Sequence, residues 1–380
     1  MLSKEKLRDM ILNNEDISNI DYSHIIDMSY MFVGCTTLTK IPNINTKNVL
    51  NMSHMFMGCS SLVSTPKLNT ENVVNMSSMF RNCKTLTINI GYNTTNVTNM
   101  ANMFKGCSKI KTIPPYDTSN VINMESMFNN CQNLLTIPHL DTSKVINMKN
   151  LFLGCTALLE INIINTSSVT NMESMFEECL FFNQNLSSLN TSNTTNMSRM
   201  FFNCKNFNQP LNNLNTSLVN NMSFMFKGCT SFNNNINNWD VSNVNNMNGM
   251  FLDCDNFNQP LNNWSTTKLT NMHNMFLSCS NLNQPLDNWD VSNVNNMNGM
   301  FFLCDNFNQP LDNWVIGKYT LLEHLFTTKE QYIKHLNPIY IYEILLSQYS
   351  LDTFTYKTLK ITKDKKNLLL YIEKFLFPYH

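Results

Sequence analysis

Cysteine offers a wide range of chemistry, and the twelve cysteines of this chain are regularly spaced. The first seven lie 24 residues apart, and the other five follow in steps of 25. A zinc site needs pairs of ligands two to four residues apart, and this spacing provides none. A soft metal held by stacked thiols remains an alternative. The row consists of Cys35, Cys59, Cys83, Cys107, Cys131, Cys155, Cys179, Cys204, Cys229, Cys254, Cys279 and Cys304.

Disulfides between neighbouring cysteines are a second alternative. Stacked coils lie ~4.8 Å apart, which is within the range that a disulfide spans. However, Met1–Asp16 is charged and lacks the apolar core of a signal peptide. We therefore expect a cytoplasmic chain with reduced thiols, and export by a non-classical route is the alternative. On this interpretation the cysteines form a structural ladder of small core residues.

Each cysteine ends the same phrase, Met-x-x-Met-Phe-x-x-Cys, as in Met124, Met127, Phe128 and Cys131, with Leu151 in place of the second Met in one copy. This i, i+3, i+4, i+7 spacing is typical of one face of a helix. The residue before the first Met is Asn in eleven copies, including Asn123, and both Asn and Asp are favoured N-caps. The phrase therefore predicts a capped helix of about two turns. A copper site or a promiscuous groove is the alternative for the Met row.

The period predicts the fold, because a fixed repeat of this length indicates a solenoid of stacked coils. After each Cys, residues such as Leu134, Ile137 and Leu140 predict an extended segment that ends in a polar turn. The fold class is an α/β solenoid, a leucine-rich-repeat-like superhelix of about twelve coils with degenerate end coils. Strands stack at ~4.8 Å and helices at ~8–10 Å, so we expect curvature, with the strand row inside and the short helices outside.

The ends of the chain depart from the repeat, as a solenoid needs in order to seal its core. Near Cys179 the period lengthens by one residue, which we interpret as a change of coil shape. Helices are predicted over 4–12, 321–336, 339–348 and 367–377, and a strand over 353–362. The predicted domains are an N-terminal capping helix with a first partial coil (1–27), the solenoid (28–329), and a C-terminal cap or docking segment (330–380).

Two groups of aromatic residues are candidate interfaces. All four tryptophans share one phase of the repeat and are interpreted first as core or edge packing. If they are exposed, they form an aromatic row rimmed by Asn-Gln-Pro turns such as Asn258–Pro260. The tail is rich in tyrosine and offers a second surface. The candidate interface residues are Trp239, Trp264, Trp289, Trp314, Tyr340 and Tyr342.

Composition excludes several classes of function. The net charge is −1, and charged residues make up 14% of the chain against about 25% in average proteins. Without a basic patch, nucleic-acid binding has no electrostatic basis. No apolar run is long enough for a transmembrane helix. No catalytic, metal or cofactor motif is present, and an enzyme alternative would have to use His335, Glu343 or Glu373.

The repeats resemble those of the BspA-type leucine-rich-repeat family over roughly residues 16–329. One branch of that family reads Trp-Asp-Val-Ser-Asn-Val-x-x-Met-x-x-Met-Phe, and Trp239–Phe251 and Trp289–Phe301 match it. The resemblance implies binding or adhesion and provides no catalytic residues. We therefore predict a non-enzymatic protein–protein interaction scaffold with a protein partner. A surface adhesin or a virion or host-attachment protein is the alternative.

Overall fold

The computed structural model describes residues 2–41, 44–87, 90–162, 165–349 and 365–377. The chain divides into two compact units. Unit 1 comprises Met1–Gln184 and Ser188–Asn193, and unit 2 comprises Asn185–Ser187 and Thr194–His380. The division falls where the period changes from 24 to 25 residues, the point at which the sequence predicts a change of coil shape.

Successive coils of each unit are joined by parallel bridges at the residue that precedes the first Met of the phrase. In unit 1 these bridges run from Asp27 to Asn171, and in unit 2 from Asn196 to Leu321. Each bridge involves one residue per coil, and no continuous strand occurs in the described ranges. The predicted solenoid is present, whereas the predicted strand row is represented only by isolated bridges.

The phrase itself is a series of tight turns, so the predicted two-turn helix is wrong. In the coil of Met124, Ser126 and Asn130 have φ values of 55° and 60°. The amide of Met127 donates to the Met124 carbonyl, three residues back, at 3.1 Å. The amides of Ser126, Phe128 and Asn130 instead donate to the next coil, at 2.9, 3.0 and 2.7 Å.

Two physical effects favour these turns over a helix. A residue with positive φ interrupts a right-handed helix, and the phrase repeatedly places one at its third position after the Asn. A helix of two turns also gains little, because nucleation is costly and few bonds follow it. In a stack, by contrast, every second amide finds a carbonyl in the neighbouring coil. Without a helix row, the length mismatch from which curvature was predicted does not arise.

The core of each unit is filled by the residues that the phrase repeats. The side chains of Met124, Met127 and Phe128 are fully buried. The phrase's Phe rings stack in parallel, with centroids 5.4–6.0 Å apart from Phe32 to Phe176. In unit 2 the spacing is 5.5–5.8 Å. The core is therefore a continuous column within each unit, and its stability is close to a sum over neighbouring coils.

The described helices lie at the two ends of the chain. They are α1 (Lys4–Leu12), α2 (Lys329–His335), α3 (Pro338–Tyr349) and α4 (Lys365–Leu376). α1 begins after Ser3, whose hydroxyl accepts from the Lys6 amide at 3.2 Å. It buries Leu7 and Ile11, and the Lys4 ammonium donates to the Ser29 carbonyl at 3.1 Å.

The C-terminal helices follow the last coil directly. The helix predicted over 321–336 begins only at Lys329, because residues before it belong to that coil, where Phe326 stacks on Phe301 at 5.6 Å. α3 and α4 occupy the other two predicted helical segments. α4 buries Leu368, Ile372 and Leu376. The predicted strand over 353–362 lies outside the described residues.

Candidate functional site

The cysteines lie in the core and are free thiols. All are buried except Cys35, which is half-buried in the first coil. Each of ten thiols donates to the carbonyl of the phrase's Phe in the preceding coil, as Cys131 does to Phe104 at 3.1 Å. The donors are Cys59, Cys83, Cys107, Cys131, Cys155, Cys179, Cys229, Cys254, Cys279 and Cys304.

This environment suppresses thiol chemistry. Burial raises the pKa of Cys59, Cys131 and Cys304 to about 12, and it also raises the pKa of Cys107 and Cys155. The thiolate is the form that binds metals and attacks electrophiles, and here it is disfavoured near neutral pH. Among the described residues no three His, Cys, Asp or Glu side chains form a metal-binding group. The geometry thus gives the cysteines a packing and hydrogen-bonding role.

The asparagine that precedes each phrase caps a turn instead of a helix. The side-chain oxygen of Asn123 accepts from the Glu125 amide at 2.9 Å. The oxygens of Asn75 and Asn246 likewise accept from the amide of the residue two positions further along the chain. Asp27 in the first coil does so as well, at 2.8 Å. The residue type was predicted for its capping chemistry, and it performs that chemistry in an Asx turn.

The tryptophan row lies inside unit 2. Trp239, Trp264, Trp289 and Trp314 are 1–3% exposed. Each indole N–H donates to a backbone carbonyl of the preceding coil, at 2.8–3.2 Å. The rings pack beside the Phe column, and Trp264 and Trp289 stack at 6.1 Å. This placement corresponds to the core interpretation and leaves the row no ring surface for a partner.

The tail tyrosines offer little surface that the structure describes. Tyr340 is half-buried near the start of α3, and its amide donates to the Asn337 carbonyl at 3.1 Å. The side chain of Tyr342 lies outside the described part of the helix. Nearby, Ile339 is exposed on α3. A docking role for this segment stays a prediction.

The residues of the enzyme alternative have other roles. His335 is buried against the rings of Phe307 and Phe326, and its Nδ1–H donates to the Gln309 carbonyl at 2.8 Å. Burial lowers the pKa of His335, so the imidazole stays neutral near pH 7. Glu373 pairs with Lys329 at 2.7 Å on the surface. These contacts join α2 to Gln309 and to α4, and Glu343 is exposed on α3.

A row of exposed apolar side chains in unit 1 was not singled out by the sequence analysis. It occupies the position directly before the bridging residue in five coils, and we call it the apolar stripe: Ile26, Leu50, Val74, Ile122 and Ile146. Thr98 and Thr170 hold this position in the two remaining coils, so Thr98 interrupts the stripe between Val74 and Ile122. The stripe side chains are 41–52% exposed although their neighbours at the next Met are fully buried. The signal was available in the sequence, because in unit 2 the same position is always polar: it holds Thr195, Thr270 and Thr320 in three coils and Asn220, Asn245 and Asn295 in the other three.

No helix in the described ranges is both long and apolar enough to cross a membrane. The family model described as "Mycoplasma protein of unknown function, DUF285" matches four overlapping stretches of the chain. They are residues 4–113, 63–160, 132–239 and 221–339. A search of curated proteins gives no match.

Several solved structures of leucine-rich-repeat proteins are similar to the chain at low identity. A leucine-rich repeat protein from Bacteroides ovatus is 16% identical, with 77% of this chain and 88% of that chain covered and a TM-score of 0.30. Internalin InlF from Listeria monocytogenes is 11% identical, with 84% and 83% covered and a TM-score of 0.26. The TLR13 chain of a complex with ssRNA13 is 12% identical, with a TM-score of 0.26. The match covers 73% of this chain and spans 40% of the TLR13 chain.

At these TM-scores the similar structures say nothing about coil geometry or ligands. The solenoid assignment rests on the repeat itself and on the ladders that join its coils.

Proposed function

We propose that this chain, which belongs to the DUF285 family of Mycoplasma proteins of unknown function, is a non-enzymatic protein–protein interaction scaffold. The observation that carries the proposal is the apolar stripe of unit 1. The stripe places exposed apolar side chains on three successive coils and, beyond Thr98, on two more, and patches of exposed apolar side chains mark interaction sites in folded proteins. The membership in the BspA-type branch stays a prediction from the sequence.

Backbone hydrogen bonds between coils hold the stripe residues in place. The Leu50 amide donates to the Ile26 carbonyl at 2.8 Å, and the Val74 amide to the Leu50 carbonyl at 2.8 Å. The amide of Ile146 continues the ladder to Ile122 at 3.0 Å. A surface that is already ordered loses little conformational entropy on binding. The asparagines at this position in unit 2 support the same view, because they mean that an apolar residue is not needed for stacking.

The surroundings of the stripe define the chemistry of its partner. Two residues before the stripe position, four coils of unit 1 carry the uncharged Asn48, Asn72, Asn96 and Asn120, whereas the first coil carries His24 and the coil of Ile146 carries Lys144. The side-chain amides of these asparagines donate to a carbonyl of the preceding coil, as Asn72 does to Lys47 at 2.8 Å. The partner that fits this surface is a protein with an apolar contact face, since most of the side chains that flank the stripe on this side are uncharged amides.

The test compares the proteins captured by three forms of the full chain from a lysate of the source cells. One form is the parent, the second carries Leu50→Lys and Ile122→Lys in the stripe, and the third carries Asn220→Lys and Asn245→Lys at the matched positions of unit 2. We expect a protein that the parent and the unit 2 variant capture and that the stripe variant loses. A captured set that is the same for all three forms would contradict the proposal.

Docking through the tail is a distinct version of the scaffold. An Ile339→Lys substitution on α3 changes an exposed side chain and leaves the stripe intact. If the tail is the docking segment, this variant loses the partner that the stripe variant keeps. If both lose it, the partner contacts both regions.

The adhesin or attachment alternative differs in where the chain acts. Membrane-impermeant labelling of intact cells or particles tests it directly. A label on the chain supports the alternative, and a chain that is labelled only after lysis contradicts it.

A further inference from the structure

Unit 2 has a shallow polar groove of about 690 Å³ that runs across several coils. Its lining consists of side-chain amides and one hydroxyl, without a charged or apolar side chain among the lining residues. They are Asn208, Ser231, Asn233, Asn256, Asn258, Asn281, Asn283 and Asn306. Two rows contribute to it, one from the fourth residue after each Cys and one from the second.

The first row presents a series of hydrogen-bond donors. The oxygen of the Asn233 side chain accepts from the Asn258 amide at 2.9 Å and from the Gln259 side chain at 3.1 Å. Asn258 and Asn283 accept the same pair of bonds from the coil that follows each. Because the oxygens are held in this way, the Nδ2 ends are identified as donors. Within the described part of the chain, the Nδ2 groups of Asn233, Asn258 and Asn283 donate to no residue.

The second row presents acceptors beside those donors. The Asn256 side chain donates to the Thr230 carbonyl at 2.8 Å, and the Asn281 side chain donates to the Asn256 oxygen at 3.4 Å. The side-chain oxygens of Asn281 and Asn306 accept from no residue in the described ranges. The groove thus has a row of donors beside a second row that contributes acceptors together with further donors.

The two units join their coils differently at this position. At the matched positions of unit 1, the Thr87 amide donates directly to the Val63 carbonyl, and the Leu159 amide to the Leu135 carbonyl, both at 2.9 Å. In unit 2 a side-chain oxygen bridges the coils instead. Asparagine supplies this oxygen on successive coils without the repulsion that a row of aspartates would suffer, and each asparagine also places an amide NH₂ group at the surface. The row consists of Asn208, Asn233, Asn258, Asn283 and Asn308.

The chemistry of the groove selects a class of ligand. A phosphate or carboxylate ligand would find no cation among its lining residues, and a lipid would find no apolar wall. Hydroxyl groups both donate and accept, so they satisfy the two rows together. One donor recurs per coil, at the ~4.8 Å spacing of hydrogen-bonded neighbours, which is close to the length of one pyranose ring in an extended β-linked chain. An extended peptide advances ~3.3 Å per residue, so its residues do not fall one to a coil. A peptide would therefore lose register across several coils.

We propose that this groove binds a neutral, linear, β-linked polysaccharide, with one sugar ring over each coil. The site is separate from the apolar stripe, so the proposal extends the function beyond protein binding. Its failure would leave the scaffold proposal untouched.

Calorimetric titration of the full chain with cellohexaose, a β-1,4-linked glucose hexamer, tests the ligand class. We expect binding whose affinity rises from the dimer to the tetramer, because each added ring reaches another coil. Maltohexaose, the α-linked isomer, should bind at least tenfold more weakly, because its curved chain cannot place successive rings opposite the donors of successive coils. No binding of cellohexaose at millimolar concentration, or equal binding of both hexamers, would overturn the proposal.

The variant Asn233→Asp/Asn258→Asp/Asn283→Asp tests the site. Each aspartate keeps the oxygen that bridges the coils and removes the donor, so we expect at least a tenfold loss of cellohexaose affinity with the thermal midpoint followed as a folding check. The matched control is Asn45→Asp/Asn69→Asp/Asn93→Asp on exposed turns of unit 1, where other coils already have Asp117 and Asp141. It changes the charge equally and should bind like the parent.

If the triple variant does not fold, the single variant Asn258→Asp takes its place, with a smaller expected loss. Parent-like affinity in the folded groove variant would reject this site. An equal loss in the unit 1 control would also reject it, since the effect would then follow from charge alone.

Discussion

At the scale of single residues, the phrase uses sulfur for packing and for hydrogen bonding. The Phe128 carbonyl accepts two bonds, one from the Cys131 amide in its own coil at 2.9 Å and one from the Cys155 thiol in the next coil at 3.0 Å. A buried carbonyl with two lone pairs is thereby satisfied without a water molecule. This explains why a small residue with a weak donor is repeated where alanine or valine would fill similar space.

Replacement of Met124 by Ala tests the core at this scale. The Met124 side chain is fully buried, so we expect the free energy of unfolding to fall by about 2–5 kcal/mol. Ile122→Ala is the matched control two residues away, because Ile122 is 43% exposed and its loss should change stability by no more than about 0.5 kcal/mol. Urea denaturation measures both, and equal midpoints for the two variants would show that the Met row is not the core.

At the scale of elements, the sequence predicts which residues share a face but not the backbone that places them there. Spacing of i, i+3, i+4 and i+7 is produced by a helix and also by successive three-residue turns, so Met124 and Cys131 reach the core in either case. The distinguishing signal was the residue type at positive φ, where Asn130 alternates with Gly106 and Gly154 in neighbouring coils. Such residues tolerate the left-handed region and are poor helix formers.

Other features could not be read from the sequence for a different reason. The polar groove of unit 2 could not be predicted because asparagine is abundant throughout the chain. Asparagines that line the groove and asparagines that only cap turns look the same in the sequence. Only the structure separates Asn75, whose oxygen closes a turn, from Asn258, whose oxygen bridges two coils. The sequence shows the position of Trp289 within the repeat but not its burial. Burial requires a partner for the indole N–H, which donates to the Leu261 carbonyl of the preceding coil.

The turn element is tested by Gly154→Ala. Gly154 has a φ of 72°, and a Cβ there would overlap the side-chain oxygen of Asn130 in the preceding coil. We expect a loss of about 1–2 kcal/mol from the left-handed backbone, with a further loss from the overlap. In an Asn130→Gly background the overlap disappears, so the cost of Gly154→Ala should fall to the backbone contribution. An unchanged cost in both backgrounds would show that the two positions are not coupled.

At the scale of the whole molecule, each unit sums many identical small contributions. Threonine hydroxyls show this, because Thr46, Thr70, Thr94 and Thr118 each donate to a carbonyl of the following coil at 2.8 Å. The thiols form another such row, and the Phe rings a third. A change of conditions that affects one row therefore acts on every coil at once, and its effect on stability is multiplied.

Alkaline pH is such a condition. Burial raises the pKa of the thiols in the folded chain, to about 12 for Cys59, Cys131 and Cys304, from an ordinary value of about 8.5. The unfolded chain therefore releases its protons first, and the contribution to stability is complete below about pH 8.5 and is lost as pH rises toward 12. We expect the urea midpoint to fall between pH 8 and pH 10.

A variant with Cys107→Ala, Cys131→Ala and Cys155→Ala provides the control. Tyrosines and lysines also titrate in this range, and they are unchanged in the variant. Its midpoint should therefore fall less steeply with pH than that of the parent. Equal slopes would assign the effect to the other groups.

The direction of the bonds between coils bears on how such a gene changes over time. The amides of the phrase donate to the next coil at the same phase, as Met28 does to Asn51 and Met52 to Asn75, and those of the stripe donate to the preceding coil. Unequal recombination between two repeats would remove or duplicate one full period, and the new neighbours within a unit would meet with matching groups. Natural variants of this chain should thus differ in length by whole periods more often than by a few residues.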